Sequence, residues 1–219
     1  MLKHSKMVLL GIGCVLLFMG GTGEAVTIPF NSITNNNVFD AGIGENQLFI
    51  DVIEGEGQGQ VTFTFRNEGP YDLVISEIYI DIGNFLEYDS IIENPLGGVD
   101  YRELAIGMVR PANLPGGKSI NPQFINNDFS IEPENPQPFN GVNPYEELGV
   151  VFNLIGNGTF NGVINEIQNL NVRAGIHVIG FTSGGSESFV NVPIPEPMTV
   201  CLLGMGSIAL IWRRRRQSL

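Results

Sequence analysis

The chain is poor in thiols, imidazoles and cations. Among 219 residues there are two cysteines, two histidines and one tryptophan, and 11 Lys+Arg stand against 23 Asp+Glu. Each shortage excludes a class of function. An acidic chain repels phosphate, which excludes a nucleic-acid partner. Both cysteines, Cys14 and Cys201, fall in apolar terminal runs. The chain between them can therefore form no disulfide, thiolate nucleophile or cysteine-based zinc site. It holds a single histidine, His177, whereas a zinc centre draws on several imidazoles or thiolates. No EF-hand loop and no repeat of fixed period occurs. The apolar content of 43% is ordinary for a globular protein, and the length suits one domain.

The few cations are concentrated at the ends. Lys3, His4 and Lys6 precede an apolar run over residues 7–19, and Gly23-Glu24-Ala25 follows. A basic start, an apolar core and small residues spaced for a peptidase make a secretory signal, with cleavage expected after Ala25. The core is short for an uncleaved anchor. Cys14 lies inside that core rather than after it, so it does not mark a lipoprotein. At the other end, Val192-Pro193-Ile194-Pro195-Glu196-Pro197 reads as a stiff extended stalk, because proline fixes φ and removes donors. Residues 198–212 are uncharged and mostly apolar. As a helix they would reach roughly 22 Å, a membrane span completed by bilayer thinning and by arginines reaching the interface. Arg213, Arg214, Arg215 and Arg216 then form a block that stays cytoplasmic.

Pro195-Glu196-Pro197, a short span and a terminal arginine cluster together resemble the PEP-CTERM sorting signal. The resemblance implies recognition by an exosortase, a membrane-embedded cysteine peptidase or transpeptidase of certain Gram-negative bacteria. It also implies export, transient anchoring in the inner membrane through residues 198–212, processing near the motif, and delivery to the cell surface or extracellular matrix. The expected organisation is a signal peptide over residues 1–25, an extracellular β-rich domain over 26–191 and a sorting signal over 192–219.

Removing the signals changes the electrostatics. Residues 26–197 hold five cations (Arg66, Arg102, Arg110, Lys118 and Arg173) against 22 carboxylates, a net charge near −17. Such a body is soluble and self-repelling, and it attracts divalent cations or basic partners.

Its clearest elements are strands. Val61, Phe63 and Phe65 alternate with Thr62, Thr64 and Arg66, and Ile78, Ile80 and Ile82 with Glu77, Tyr79 and Asp81. Period two with β-branched and aromatic residues marks half-buried strands. Asn67-Glu68-Gly69-Pro70 between them reads as the turn of an antiparallel hairpin. Residues 48–53 are a partner strand, and residues 148–155 a buried central one. Phe160, Val163, Ile164 and Ile167 recur at helical spacing behind an N-cap at Thr159. Residues 171–181 and 189–190 return as strands. Residues 84–143 carry more than half of the 13 prolines yet keep apolar residues, which suits long ordered loops with one or two short strands. The expected fold is mainly β: an antiparallel β-sandwich, jelly-roll-like, with one short helix, flanked by a signal helix and a transmembrane helix. The segments 60–67, 75–81, 113–117, 148–154, 175–178 and 184–191 also resemble, in order, one common group of PEP-CTERM body domains. That resemblance implies an extracellular β-rich domain and no catalytic residues.

Sites for chemistry are few. His177 stands on the outer side of its strand, and the serines nearest in sequence (Ser183, Ser186, Ser188) lack a nucleophile-elbow pattern. Carboxylate pairs suited to glycosidase chemistry are common in any acidic domain. Glu54, Glu56, Asp81 and Asn84 are oxygen ligands available to a structural calcium. Gly55, Gly57 and Gly59 lack the lysine and helix of a phosphate loop. Tyr79, Tyr88, Tyr101 and Tyr145 are the aromatics that could face a sugar. The expected function is an exported, non-catalytic protein of the cell envelope or exopolysaccharide matrix, processed by signal peptidase and an exosortase, with no cofactor. The alternative is a carbohydrate- or calcium-binding module.

Overall fold

The computed structural model describes residues 25–193, apart from 56, 58, 95–96, 103–112 and 125–127. The signal run and the C-terminal span lie outside the described residues. Among the described residues, no helix is long and apolar enough to cross a membrane.

Among the described residues, nine strands form one antiparallel sheet: β1 (Ala25–Ser32), β2 (Leu48–Glu54), β3 (Gln60–Asn67), β4 (Val74–Asp81), β5 (Leu86–Ile92), β6 (Phe129–Ile131), β7 (Glu147–Leu154), β8 (Arg173–Ile179) and β9 (Glu187–Asn191). Three α-helices accompany them among the described residues: α1 (Val38–Gln47), α2 (Gln137–Asn140) and α3 (Phe160–Gln168). The strand order is β5-β7-β3-β2-β1-β9-β8-β4-β6. The sheet turns back on itself at β1, which belongs to both layers. Its residues 25–29 pair with β2, and Phe30, Asn31 and Ser32 pair with β9. The edges β5 and β6 meet on the far side, where Tyr88 stacks on Phe129 at 4.7 Å. Phe152 of β7 packs edge-on against Phe129, Tyr88 and Phe63. The result is a nearly closed two-layered β-fold.

The alternation seen in the sequence sets which side of each strand is buried. Val61, Phe63 and Phe65 point into the core and are at most 1% exposed, leaving Thr62, Thr64 and Arg66 on the outer face of β3. On β8 and its approach, Val172, Ala174, Ile176 and Val178 face inward. Leu48 and Ile50 of β2 and Val150 and Phe152 of β7 complete the interior. The outer face of β4 is covered as well. Tyr79 packs with Leu114 and Phe124, which the loop 113–124 lays over it. Arg173 pins that loop: it donates to the carbonyls of Pro122 and Gln123 and lies 4.9 Å from the Phe124 ring.

Two expectations need correction. The segments 60–66 and 73–82 are strands but not a hairpin. β3 pairs with β2 and β7, and β4 pairs with β8 and β6 in the other layer. Each has one strongly apolar face, and both faces are satisfied by opposing them across the core rather than side by side in one layer. The second concerns helix number. α3 forms as expected, with Thr159 Oγ1 accepting from Gly162 N at 3.0 Å, but α1 and the one-turn α2 join it. α1 is capped by the Asn37 side chain, which accepts from Phe39 N at 3.0 Å. It exposes Val38 and Phe39, so it carries no clear amphipathic period for the sequence to reveal.

The crossing from β3 to β4 is held by two buried side-chain amides. Asn67 is 1% exposed and Gln47 2%. Asn67 Nδ2 donates to the carbonyls of Leu73 (3.0 Å) and Val142 (3.3 Å), and its Oδ1 accepts from Gln47 Nε2 (2.8 Å) and Gly69 N (3.2 Å). Gln47 also bonds both backbone groups of Tyr71. The amides thus tie the end of α1 to the crossover and to the turn before β7.

The direction of the strands fixes where the chain ends leave. β9 runs antiparallel to β1, and Val192 N donates to Pro29 O at 3.2 Å. Ala25 lies opposite Ile53 near the β2–β3 turn. Ala25 and Pro193 therefore leave the body toward the same end.

Leaving several buried polar groups without partners costs about 1–3 kcal/mol for each. Asn67→Ala is expected to lower unfolding stability by about 2–4 kcal/mol in a denaturant titration. A loss below ~0.5 kcal/mol would show that the crossover does not depend on this side chain.

Candidate functional site

The outer face of the β5-β7-β3-β2 layer carries an open groove of about 630 Å³. Its floor comes from alternate positions of two central strands: Thr62 and Thr64 of β3, Gly149 and Val151 of β7. Gly149 keeps the floor low. A Cβ there would stand 3.1 Å from Ile92 Cβ and 3.4 Å from Thr62 Cγ2. One wall is the end of β5 and the segment after it, with Ile92, Glu93 and Val99. The β2–β3 turn closes one end with Glu54 and Gln60, and Tyr145, Glu146 and Glu147 stand at the other.

The described lining includes five carboxylates (Glu54, Asp89, Glu93, Glu146 and Glu147) and no Lys, Arg or His. Three of the five are held by the body. Asp89 accepts from Asn153 Nδ2 at 2.9 Å, Glu93 from Tyr101 N at 2.8 Å, and Glu146 from Asn143 N at 2.8 Å. Glu54 and Glu147 are exposed and engage no described partner. Thr62 is 5% exposed, and its side chain likewise has no hydrogen-bond partner among the described residues. The hydroxyl opens onto the groove rather than into the core.

Tyr145 stands at the rim with 74% of its surface exposed. Its φ is +70°, a left-handed conformation that costs a bulky residue free energy and occurs mainly where the surrounding structure imposes it. The imposing contacts are its N–H, which donates to Asn67 O at 2.7 Å, and Gly69, against which its ring lies. At Gly69 φ is +60°, and a Cβ would meet the ring at 2.7 Å. The turn therefore holds an aromatic ring in the open, fixed from beneath by the Asn67 amide system.

The remaining sequence candidates are scattered. Tyr79 and Tyr101 are buried, at 0% and 2%, and Tyr88 belongs to the Phe129–Phe152 stack. Of the four tyrosines, only Tyr145 can meet a sugar. Glu54 is on the groove, Glu56 lies outside the described residues, and Asp81 is in the opposite layer, so these oxygen ligands do not converge. Asp81 is paired with Arg173 at 2.7 Å; burial pushes its carboxyl above the usual range, with Arg173 opposing. Among the described residues, no group of three or more His, Cys, Asp or Glu is arranged for a metal. His177 Nδ1 lies 3.2 Å from Ser188 Oγ, but Ser188 is 0% exposed and no substrate can reach it. Ala25 is the exposed first residue of β1. Pro195, Glu196, Pro197 and the four arginines lie outside the described residues.

Sequence reasoning found the polar face of β3 but not the groove. Thr62 and Thr64 were legible as the side opposite Val61, Phe63 and Phe65. Nothing in their spacing brings them beside Gly149 or Tyr145, which are some 80 positions away in the chain.

A nearly closed antiparallel β-protein with an open acidic groove is the class that the fold and the site define. Its C-terminus gives the rest: residues 193–216 match the PEP-CTERM protein-sorting motif. The match takes in Pro195-Glu196-Pro197 and all four terminal arginines. The chain is thus an exosortase-targeted, surface-sorted protein. No curated protein and no solved structure matches it.

Burial holds the His177 imidazole below its ordinary pKa of 6.5, against the opposing pull of Glu77 and Glu187. The unfolded chain then binds the proton more readily than the folded one, so stability rises with pH in this range. Thermal stability is expected to be full above pH 6.5 and to fall as pH drops below it. His177→Gln should remove this part of the pH dependence, and an unchanged pH profile in that variant would refute the assignment.

Proposed function

We propose that this is an exported, non-catalytic component of the cell envelope or the extracellular polysaccharide matrix. Signal peptidase cuts after Ala25, residues 198–212 hold the chain transiently in the inner membrane, and an exosortase processes it near Pro195-Glu196-Pro197. The observation that carries this reading is the sorting motif at residues 193–216, which begins two residues after β9 ends at Asn191. The folded body therefore hands directly over to the stalk, with no further domain between them. Because Ala25 and Pro193 leave at one end, a body tethered through the stalk presents its opposite end, with α1, Tyr71 and Tyr145, away from the membrane.

The acidic surface supports an extracellular setting. A net charge near −17 keeps tethered copies apart and soluble. The non-catalytic reading is supported by the burial of Ser188, which leaves His177 without an accessible nucleophile. No cofactor is proposed.

Mass spectrometry of the form recovered from the cell surface is the direct test. The expected product starts at Val26 and has lost the arginine cluster. Replacing Pro195, Glu196 and Pro197 with alanine should leave the full C-terminus in the membrane fraction. A soluble cytoplasmic protein with both ends intact would overturn the proposal.

A further inference from the structure

Among the described residues that line the groove there is no cation, and its chemistry selects an occupant. Five carboxylates line it with no described cation among them, so an anionic chain is repelled and a cationic one attracted. Its floor is built from the short side chains of Thr62, Thr64 and Val151 and from Gly149. Thr62, a largely buried residue of the floor, turns a hydroxyl toward the groove that lacks a partner among the described residues. Ile92 and Val99 add apolar wall, and Tyr145 adds an exposed ring on a rigid, strained turn. A ligand that suits all of these carries hydroxyls, apolar ring faces and positive charge on a repeating, extended chain.

We propose that the groove between Glu54 and Tyr145 binds a polysaccharide bearing free amino groups. Such a chain lies along the floor, donates its ammonium groups to Glu54 and Glu147, shares a hydrogen bond with Thr62 and stacks a sugar face on Tyr145. The two free carboxylates stand toward opposite ends of the groove, one at the close of β2 and the other at the start of β7, so a chain molecule meets both and a monosaccharide does not. The groove lies on the side of the body, open when the protein is tethered through its C-terminal end. This proposal deepens the matrix reading and rests on it for the place where such a polymer is met.

The test uses purified full-length protein and calorimetric titration with an oligomer of glucosamine, at a pH where its amines are protonated. The expected result is saturable binding that weakens with added salt. The fully N-acetylated oligomer should bind at least about tenfold more weakly. Tyr145→Ala and the double variant Glu54→Gln/Glu147→Gln should each lose about tenfold, and Tyr145→Phe should retain the affinity. Melting curves on each variant establish that the body is folded. Absence of saturable binding would overturn the proposal. So would unchanged affinity in the folded variants, or equal binding of polylysine, which would reduce the groove to a generic polyanion. Fractionation of cells carrying the same variants separates the two readings. Failed binding with intact surface location sinks the groove alone, whereas cytoplasmic protein sinks the matrix reading whatever the groove binds.

Discussion

The amide of Asn67 governs more of this molecule than any other single group. It sits where the chain leaves one layer for the other. Its four hydrogen bonds reach Gln47, Gly69, Leu73 and Val142. Its backbone carbonyl takes the N–H of Tyr145. A neutral amide can do this because it offers two donors and an acceptor without the desolvation cost of a charge. Three segments distant in sequence thereby share one buried polar centre: the end of α1, the close of β3 with the crossover that follows it, and the turn before β7. The strained conformation of Tyr145, and with it one end of the groove, is set from this centre.

Scarcity of cations shapes the rest. Three of the five basic residues of the body serve internal ties. Arg66 meets Asp51 and Glu68, Arg102 meets Glu132 and Glu134, and Arg173 meets Asp81. Partly exposed pairs of this kind contribute little to stability. Arg173 does more, because it also clamps the loop 113–124 over Tyr79 by hydrogen bonds and by its position on Phe124. Arg66 stands on the same outer face as the groove, in register with Glu147, but its ion pairs are with Asp51 and Glu68, and the described groove lining itself holds no cation. The cohesion of the fold comes instead from aromatic packing across the core, where Phe63, Phe152, Phe129 and Tyr88 close the two free edges of the sheet toward each other. A body with no cysteine depends on such burial.

Much of the strand content was legible. The alternation of Val61, Phe63 and Phe65 with threonines gave both the element and its buried side, and the 160–167 spacing gave a helix with its cap at Thr159. Residues 48–53 were legible as a partner strand, and β2 pairs with β3. The β3–β4 pairing did not follow, because alternation specifies a face and not a neighbour. α1 escaped because its exposed Val38 and Phe39 break the pattern that a sequence reader relies on. Among the tyrosines, composition treated four as equal, and packing left one at the surface.

The sequence by itself determined the address and the charge. A sorting motif is read as an ordered set of local features — prolines, an apolar run, a block of arginines — and all of these are contiguous, so no tertiary contact is needed to recognise them. The same holds for the absence of thiols and the near absence of imidazoles. Tertiary structure alone decided which polar residues face each other. Thr62 and Gly149 are neighbours only because β3 pairs with β7, and Tyr145 stands at their end only because Asn67 holds its turn. Register and crossover are properties of long-range pairing, where a strand chooses its partner by the burial of its whole face. That choice is made by the assembled core and leaves no mark in the spacing of residues along the chain.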